Sequence, residues 1–137
     1  MRPRAWDEGI STGVGSMDTE HRLQVSLVNA LEEVLRRRED RTVADRTLAQ
    51  LVDFTSVHFH SEELMMRLYG YPQLDVHSAA HAKLLEQAQS IQARYQADEI
   101  TEALEVITEL RGWLVNHIKS MDQAFALWLA KNDIRPH

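Results

Sequence analysis

Apolar residues recur every three or four positions along four stretches of this chain. In the first, His21, Val25, Val28, Leu31 and Leu35 share one helical face. The second carries Leu48, Leu51, Thr55, His58, Glu62, Met65 and Tyr69, and the third His77, His81, Leu84, Ala88, Ile91 and Tyr95. The fourth carries Leu104, Ile107, Leu110, Leu114, His117 and Met121. These stripes predict helices over about 18–38, 42–68, 74–96 and 99–118, then a short tail helix over 121–131. Ser16 or Asp18 is a candidate cap for the first helix. Gly70-Tyr71-Pro72 is a strong turn signal between the second and third. Pro3 and Pro136 lie near the ends, and only Gly112 falls inside a long periodic segment. No stretch alternates as a strand would. Short connections make neighbouring helices antiparallel. The expected fold is therefore all-α: an up-down antiparallel four-helix bundle, one domain over 1–137, with an N-terminal arm (1–17) and a short C-terminal tail helix.

Composition narrows the chemistry. The chain has 137 residues, 44% hydrophobic and 26% charged, with a net charge of −6. A domain of this length buries roughly two-thirds of its unfolded surface and needs no covalent staple. With no cysteine, disulfides, iron–sulfur clusters, thiolate zinc sites and cysteine nucleophiles are excluded. The acidic balance argues against a nucleic-acid binder. The longest apolar run, 124–130, is far short of a membrane span. The basic Met1-Arg2-Pro3-Arg4 is followed by no apolar stretch, so no secretory signal is read, and a cytoplasmic location is expected.

Each stripe carries at least one histidine, and the second adds a carboxylate. An ionised carboxylate among Leu and Met side chains is costly unless it is paired or bound to a metal. His58-Phe59-His60-Ser61-Glu62 and His77-Ser78-Ala79-Ala80-His81 are i,i+4 units, with both side chains on one face. His21 starts the first helix, His58 is late in the second, His77 starts the third and His117 ends the fourth. In an up-down bundle all four places share one end. His117 and Asp122 lie five apart, about 140° from each other on a regular helix. For both to reach one site the backbone must depart from α-geometry, so an irregularity between Ile118 and Met121 is predicted.

Taken singly, each of these residues has an ordinary reading: a surface pair, a helix-start histidine, a satisfied core histidine. Convergence at one end is what makes them a metal site. Other metal signatures are missing. Ser78 follows His77, so there is no HExxH zinc motif, and no paired Glu-x-x-His units are present. There is also no Ser–His–Asp arrangement placed for acyl transfer and no Gly-rich phosphate loop.

The order His21, His58…Glu62, His77…His81, His117…Asp122 resembles the hemerythrin family in its single-domain bacterial form. Trp6, Val14-Gly15, Asp18, Phe59, Tyr71-Pro72 and Trp113-Leu114 add to the match, which runs from Trp6 to about Leu129. The resemblance implies a non-haem di-iron site that binds O₂ reversibly. By position, His77, His81 and His117 would hold one iron and His21 and His58 the other. Glu62 and Asp122 would bridge them, together with an oxo or hydroxo group. Imidazole and carboxylate donors suit iron. Five imidazoles, two bridging carboxylates and that bridge leave one of the octahedral positions open, on the iron with two histidines. The O₂ pocket implied is Gln24, Phe59, Trp113, Leu114 and Ile118. Gln24 departs from the large aliphatic residue usual in the family, and its amide is a candidate to hydrogen-bond a ligand or admit water.

The expected function is oxygen storage, delivery or supply to a partner, not enzymatic turnover. The alternatives are an O₂, redox or NO sensor acting through a separate protein, and a di-iron enzyme with peroxidase-like or NO-reducing activity. NO and small anions are further candidate ligands. No nucleic-acid or membrane partner is expected, and a monomer is expected over an oligomer. Glu63 reads first as a solvated carboxylate, with support of a ligating imidazole as its other use. His60 and His137 read as surface or tail residues, and Trp113 as core first. Met65 and Met66 read as core filler, and Phe125, Trp128 and Leu129 as the packing face of the tail.

Overall fold

In the computed structural model, residues 12 and 14–134 are described. Five α-helices follow one another: α1 (Gly15–Arg36), α2 (Arg41–Tyr69), α3 (Leu74–Gln96), α4 (Ile100–His117) and α5 (Gln123–Lys131). A π-helical turn, Ile118–Asp122, joins the last two. No strand occurs among the described residues. Contacts α1–α2, α2–α3, α3–α4 and α4–α1 close a ring of four helices, the expected up-down bundle with its tail helix. Trp6 and His137 lie outside the described residues.

The stripes are the packed faces. His21, Val25, Val28, Leu31 and Leu35 are all buried, as are all six stripe residues of α3. Burying each large aliphatic side chain contributes about 1.5–3 kcal/mol. Three stripe positions shift by one residue: Met66 is buried where Met65 is partly exposed, Ala103 replaces Leu104, and Asp122 replaces Met121. The first two exchange i+3 for i+4 spacing, which the 3.6-residue period leaves open. The third follows from the π turn.

The first helix begins earlier than its pattern suggested. Val14 occupies the N-cap position without a side-chain bond, and Ser16 and Asp18 lie inside α1. Asp18 instead accepts from the Thr12 backbone N–H (2.7 Å) and hydroxyl (2.8 Å), tying the incoming chain to the first turn. α2 ends at Gly70, whose φ of 71° is the left-handed conformation that glycine adopts without penalty. The Tyr71 N–H then reaches back to the Met66 carbonyl at 2.8 Å.

Two apolar clusters result. The larger fills the bundle from Leu35 and Leu48 up to Phe59, Leu114 and Ile118. The smaller joins Met17, Met66 and Tyr71 to Phe125 and Leu129 of α5, with Trp128 packed against it. The tail helix thus packs on the bundle through the three residues expected. A buried polar layer lies between the two clusters.

Candidate metal centre

That layer contains His21, His58, Glu62, His77, His81, His117 and Asp122, each no more than 5% exposed. All seven side chains predicted from the sequence are therefore brought together, one or more from each helix of the ring. The π turn explains how Asp122 joins them. The Gln123 N–H bonds the Ile118 carbonyl, an i→i+5 bond, so this turn takes in one residue more than an α-helical turn. His117 and Asp122, which a regular helix would hold apart, end with His117 Nε2 3.1 Å from Asp122 Oδ1.

Each carboxylate divides its two oxygens between two sets of imidazoles. Glu62 Oε2 faces His21 Nε2 (2.9 Å) and His58 Nε2 (3.1 Å), while Oε1 faces His81 Nε2 (3.1 Å). Asp122 Oδ1 faces His77 Nε2 (2.6 Å) and His117 Nε2 (3.1 Å), while Oδ2 faces His21 Nε2 (2.9 Å). One set is His77, His81 and His117; the other is His21 and His58. Glu62 belongs to two compact donor groups, one with His77, His81, His117 and Asp122 and one with His21 and His58.

Several of these close approaches are not hydrogen bonds. His58 Nε2, His81 Nε2, Glu62 Oε1 and Asp122 Oδ2 are buried with no hydrogen-bond partner. Leaving such a group unsatisfied costs about 1–3 kcal/mol. Five imidazole nitrogens and two carboxylates converge on one space, and several of their atoms have no hydrogen-bond partner, so the cluster is positioned to hold metal ions.

The outer nitrogens have their own partners. His58 Nδ1 donates to Glu20 Oε1 at 2.7 Å, and His81 Nδ1 donates to Glu63 Oε2 at 2.9 Å. The Ser78 hydroxyl holds the other Glu63 oxygen at 2.9 Å. A carboxylate on Nδ1 fixes the tautomer and leaves Nε2 as the inward donor. Glu63 thus takes the supporting use, not the solvated one. Glu20 and Ser78 were not singled out in the sequence. The available signal was adjacency: Glu20 precedes His21 and Glu63 follows Glu62. A neighbour about 100° around the helix points at the interface with the next helix, where that helix's imidazole sits.

The electrostatics follow. Burial alone would lower the His21 imidazole, but the Asp122 and Glu62 carboxylates outweigh it and raise it to about 9. His58 is raised too: Glu62 and Glu20 overcome its burial. Burial and the Asp122 charge push Glu62 up, yet the imidazoles of His21, His58 and His81 that face its two oxygens hold it well below the usual carboxylate range. Asp122 is held low against its own burial by His117, His21 and His77.

The proposed pocket residues divide. Phe59 is buried and stacks on His81, centroids 4.0 Å apart and planes within 2°. Leu114 and Ile118 are buried in the large cluster beside it. Gln24 is buried, and its amide donates to Thr55 Oγ1 at 3.2 Å. Trp113 is neither core nor interior wall. It is 48% exposed and lines an open cavity of about 550 Å³ with Lys83, Leu84, Asn116 and His117. The inward face of α4 runs through Leu110, Leu114 and His117, and position 113 falls about 100° to its side. His60 is exposed, as expected, and hydrogen-bonds the Ser56 carbonyl through Nδ1.

Comparison with known proteins gives one answer. Residues 12–129 match the family described as the hemerythrin HHE cation binding domain. The bacteriohemerythrin of Stenotrophomonas maltophilia (strain R551-3) is 32% identical over 122 residues, covering 88% of this chain and 78% of that protein. The myohemerythrin of Theromyzon tessulatum is 31% identical over 120 residues, covering 88% of each. A crystal structure of wild-type hemerythrin superposes with a TM-score of 0.81 at 29% identity, covering 92% of this chain and 97% of that one.

Proposed function

Because this chain belongs to the hemerythrin family, we propose that it binds O₂ reversibly at two non-haem iron ions and serves in oxygen storage or delivery. His77, His81 and His117 would hold one iron and His21 and His58 the other, with Glu62 and Asp122 shared. The observation that carries this reading is the division of each carboxylate's two oxygens between the two histidine sets. A pair of ferrous ions held there would supply the two electrons that reversible O₂ binding draws on.

The chain's own residues do the rest. Glu20 and Glu63 keep a proton on the Nδ1 of His58 and His81, which leaves Nε2 of each ring as the inward lone-pair donor. Phe59, Leu114 and Ile118 form the apolar wall that excludes water and outer-sphere reductants, and Gln24 is the polar member of the pocket. Five imidazoles to two carboxylates is a donor set for binding O₂ rather than for oxidising a substrate, so we assign no enzymatic role. We read the chain as a single domain. No described helix is long and apolar enough to cross a membrane, and the cytoplasm is the compartment we propose.

The test is an anaerobic-to-aerobic titration with metal analysis. Two irons per chain are expected, with a visible charge-transfer band that appears with O₂ and disappears when O₂ is removed. A purified chain that retains no iron, or whose band never reverses, overturns the reading.

A further inference from the structure

Two of the imidazoles have a carboxylate on Nδ1, and His21 does not. Its Nδ1 is buried and has no hydrogen-bond partner. Where Nε2 faces a metal, Nδ1 of this imidazole bears the ring hydrogen and needs an acceptor. A buried acceptor without a donor lies nearby in the chain: Gln24 Oε1. Gln24 is three residues on, on the same face of α1, and is 2% exposed. Long side chains on a helix lean toward its N-terminus, the direction in which the turn carrying His21 lies. Its orientation is set from the other side. The amide nitrogen is committed to Thr55 Oγ1 at 3.2 Å, which leaves the oxygen as the free end. Thr55 lies one turn before His58 on α2, so the Gln24–Thr55 pair forms the layer next to the His21–His58 pair, whose rings are 5.0 Å apart.

A buried donor and a buried acceptor, on successive turns of one face and both unpartnered, can each be satisfied by one shared water. We propose that one buried water accepts from His21 Nδ1–H and donates to Gln24 Oε1, with Thr55 anchoring the amide. Gln24 is then the positioning residue for His21, as Glu20 is for His58 and Glu63 is for His81. It differs in one respect: its amide is neutral. His21 therefore lacks the negative partner that strengthens the other two imidazoles as donors, and the two-histidine half of the centre is held less tightly. This rests on the proposed reading in one respect only, that His21 Nε2 faces a metal.

The test combines crystallography with chelator challenge of the iron-loaded protein and its Gln24→Leu, Thr55→Val and Gln24→Glu variants. In the wild type, electron density for one water within hydrogen-bonding distance of both His21 Nδ1 and Gln24 Oε1 is expected. Gln24→Leu loses that water and releases one of its two irons about tenfold faster, leaving the other unchanged. Thr55→Val frees the amide to turn and gives a smaller effect of the same kind. Gln24→Glu restores an acceptor and slows release below the wild-type rate. In the zinc-loaded protein, the His21 Nδ1–H proton resonance is sharp in the wild type and exchange-broadened in Gln24→Leu. No water at this position, or equal release of both irons from wild type and Gln24→Leu, overturns the proposal. A wild type that binds no metal refutes the oxygen-binding reading instead. The metal-free crystal then still decides whether the water joins these two groups.

Discussion

The seven inward side chains owe their behaviour to one another more than to their own chemistry. His21, raised to about 9 by Asp122 and Glu62, is charged in the metal-free fold at a pH where the unfolded chain, near 6.5, has lost its proton. Its contribution to stability is therefore complete below pH 6.5 and is lost as the pH rises toward 9. Glu62 and Asp122 are shifted the opposite way, so theirs is present above about pH 4.5 and lost on acidification. The metal-free protein should be most stable between about pH 5 and 6.5. The alkaline arm is worth up to ~3 kcal/mol, measurable by urea unfolding at fixed salt. Metal takes the place of the proton on Nε2, so the loaded protein should lose the alkaline arm. The outer carboxylates act at the same scale. Glu63→Gln removes the negative partner of His81 Nδ1. It should lower metal affinity about tenfold in a chelator competition, while urea unfolding of the metal-free protein changes little. Of these residues the ones on apolar stripes were legible, because a polar side chain at a buried period position stands out. Glu20 and Ser78 were not, because their sequence surroundings match those of any solvated helix face.

At the scale of elements, two departures from regular helix place the centre. The π turn rotates Asp122 to the inside, and the spacing of five between His117 and Asp122 was enough to require it. The left-handed turn at Gly70 reverses the chain between His58…Glu62 and His77…His81, so that both pairs meet at one level. A β-carbon at Gly70 meets no neighbour within 4 Å, so only the backbone conformation opposes a substitution. Gly70→Ala should cost about 1–2 kcal/mol, read as a lower urea midpoint at an unchanged slope. Gly70→Asn should cost less, since asparagine tolerates this conformation. Away from the centre, Arg111 of α4 is buried and bonded to Asn29 and Glu32 of α1. That polar clip between helices had no period signal, because an arginine on an apolar face reads as an interruption of it.

Across the whole molecule, a polar layer separates two apolar clusters, so neither cluster can close on the other without satisfying the layer. Metal binds the folded arrangement and not the unfolded chain, and stabilises by mass action. Removing iron with a chelator under reducing conditions should lower the melting temperature by about 10 °C or more, followed by circular dichroism. Restoring ferrous iron should reverse it. An unchanged melting temperature would mean that hydrogen bonds alone satisfy the seven side chains.

What the linear order of residues determined by itself was periodic: four helices, their inward faces, the turn at Gly70, the irregularity before Asp122, and the five histidines and Glu62 that intrude on the stripes. Periodicity is a local property, carried within a few turns of one helix. Only the tertiary structure decided which oxygen of Glu62 and Asp122 meets which imidazole, and that Glu20 and Glu63 serve histidines on neighbouring helices. It also put Trp113 at an open cavity and tied Gln24 to Thr55. Those outcomes depend on the rotation and height of one helix against the next. Many side chains far apart in the chain set that rotation together, and no single stripe encodes it.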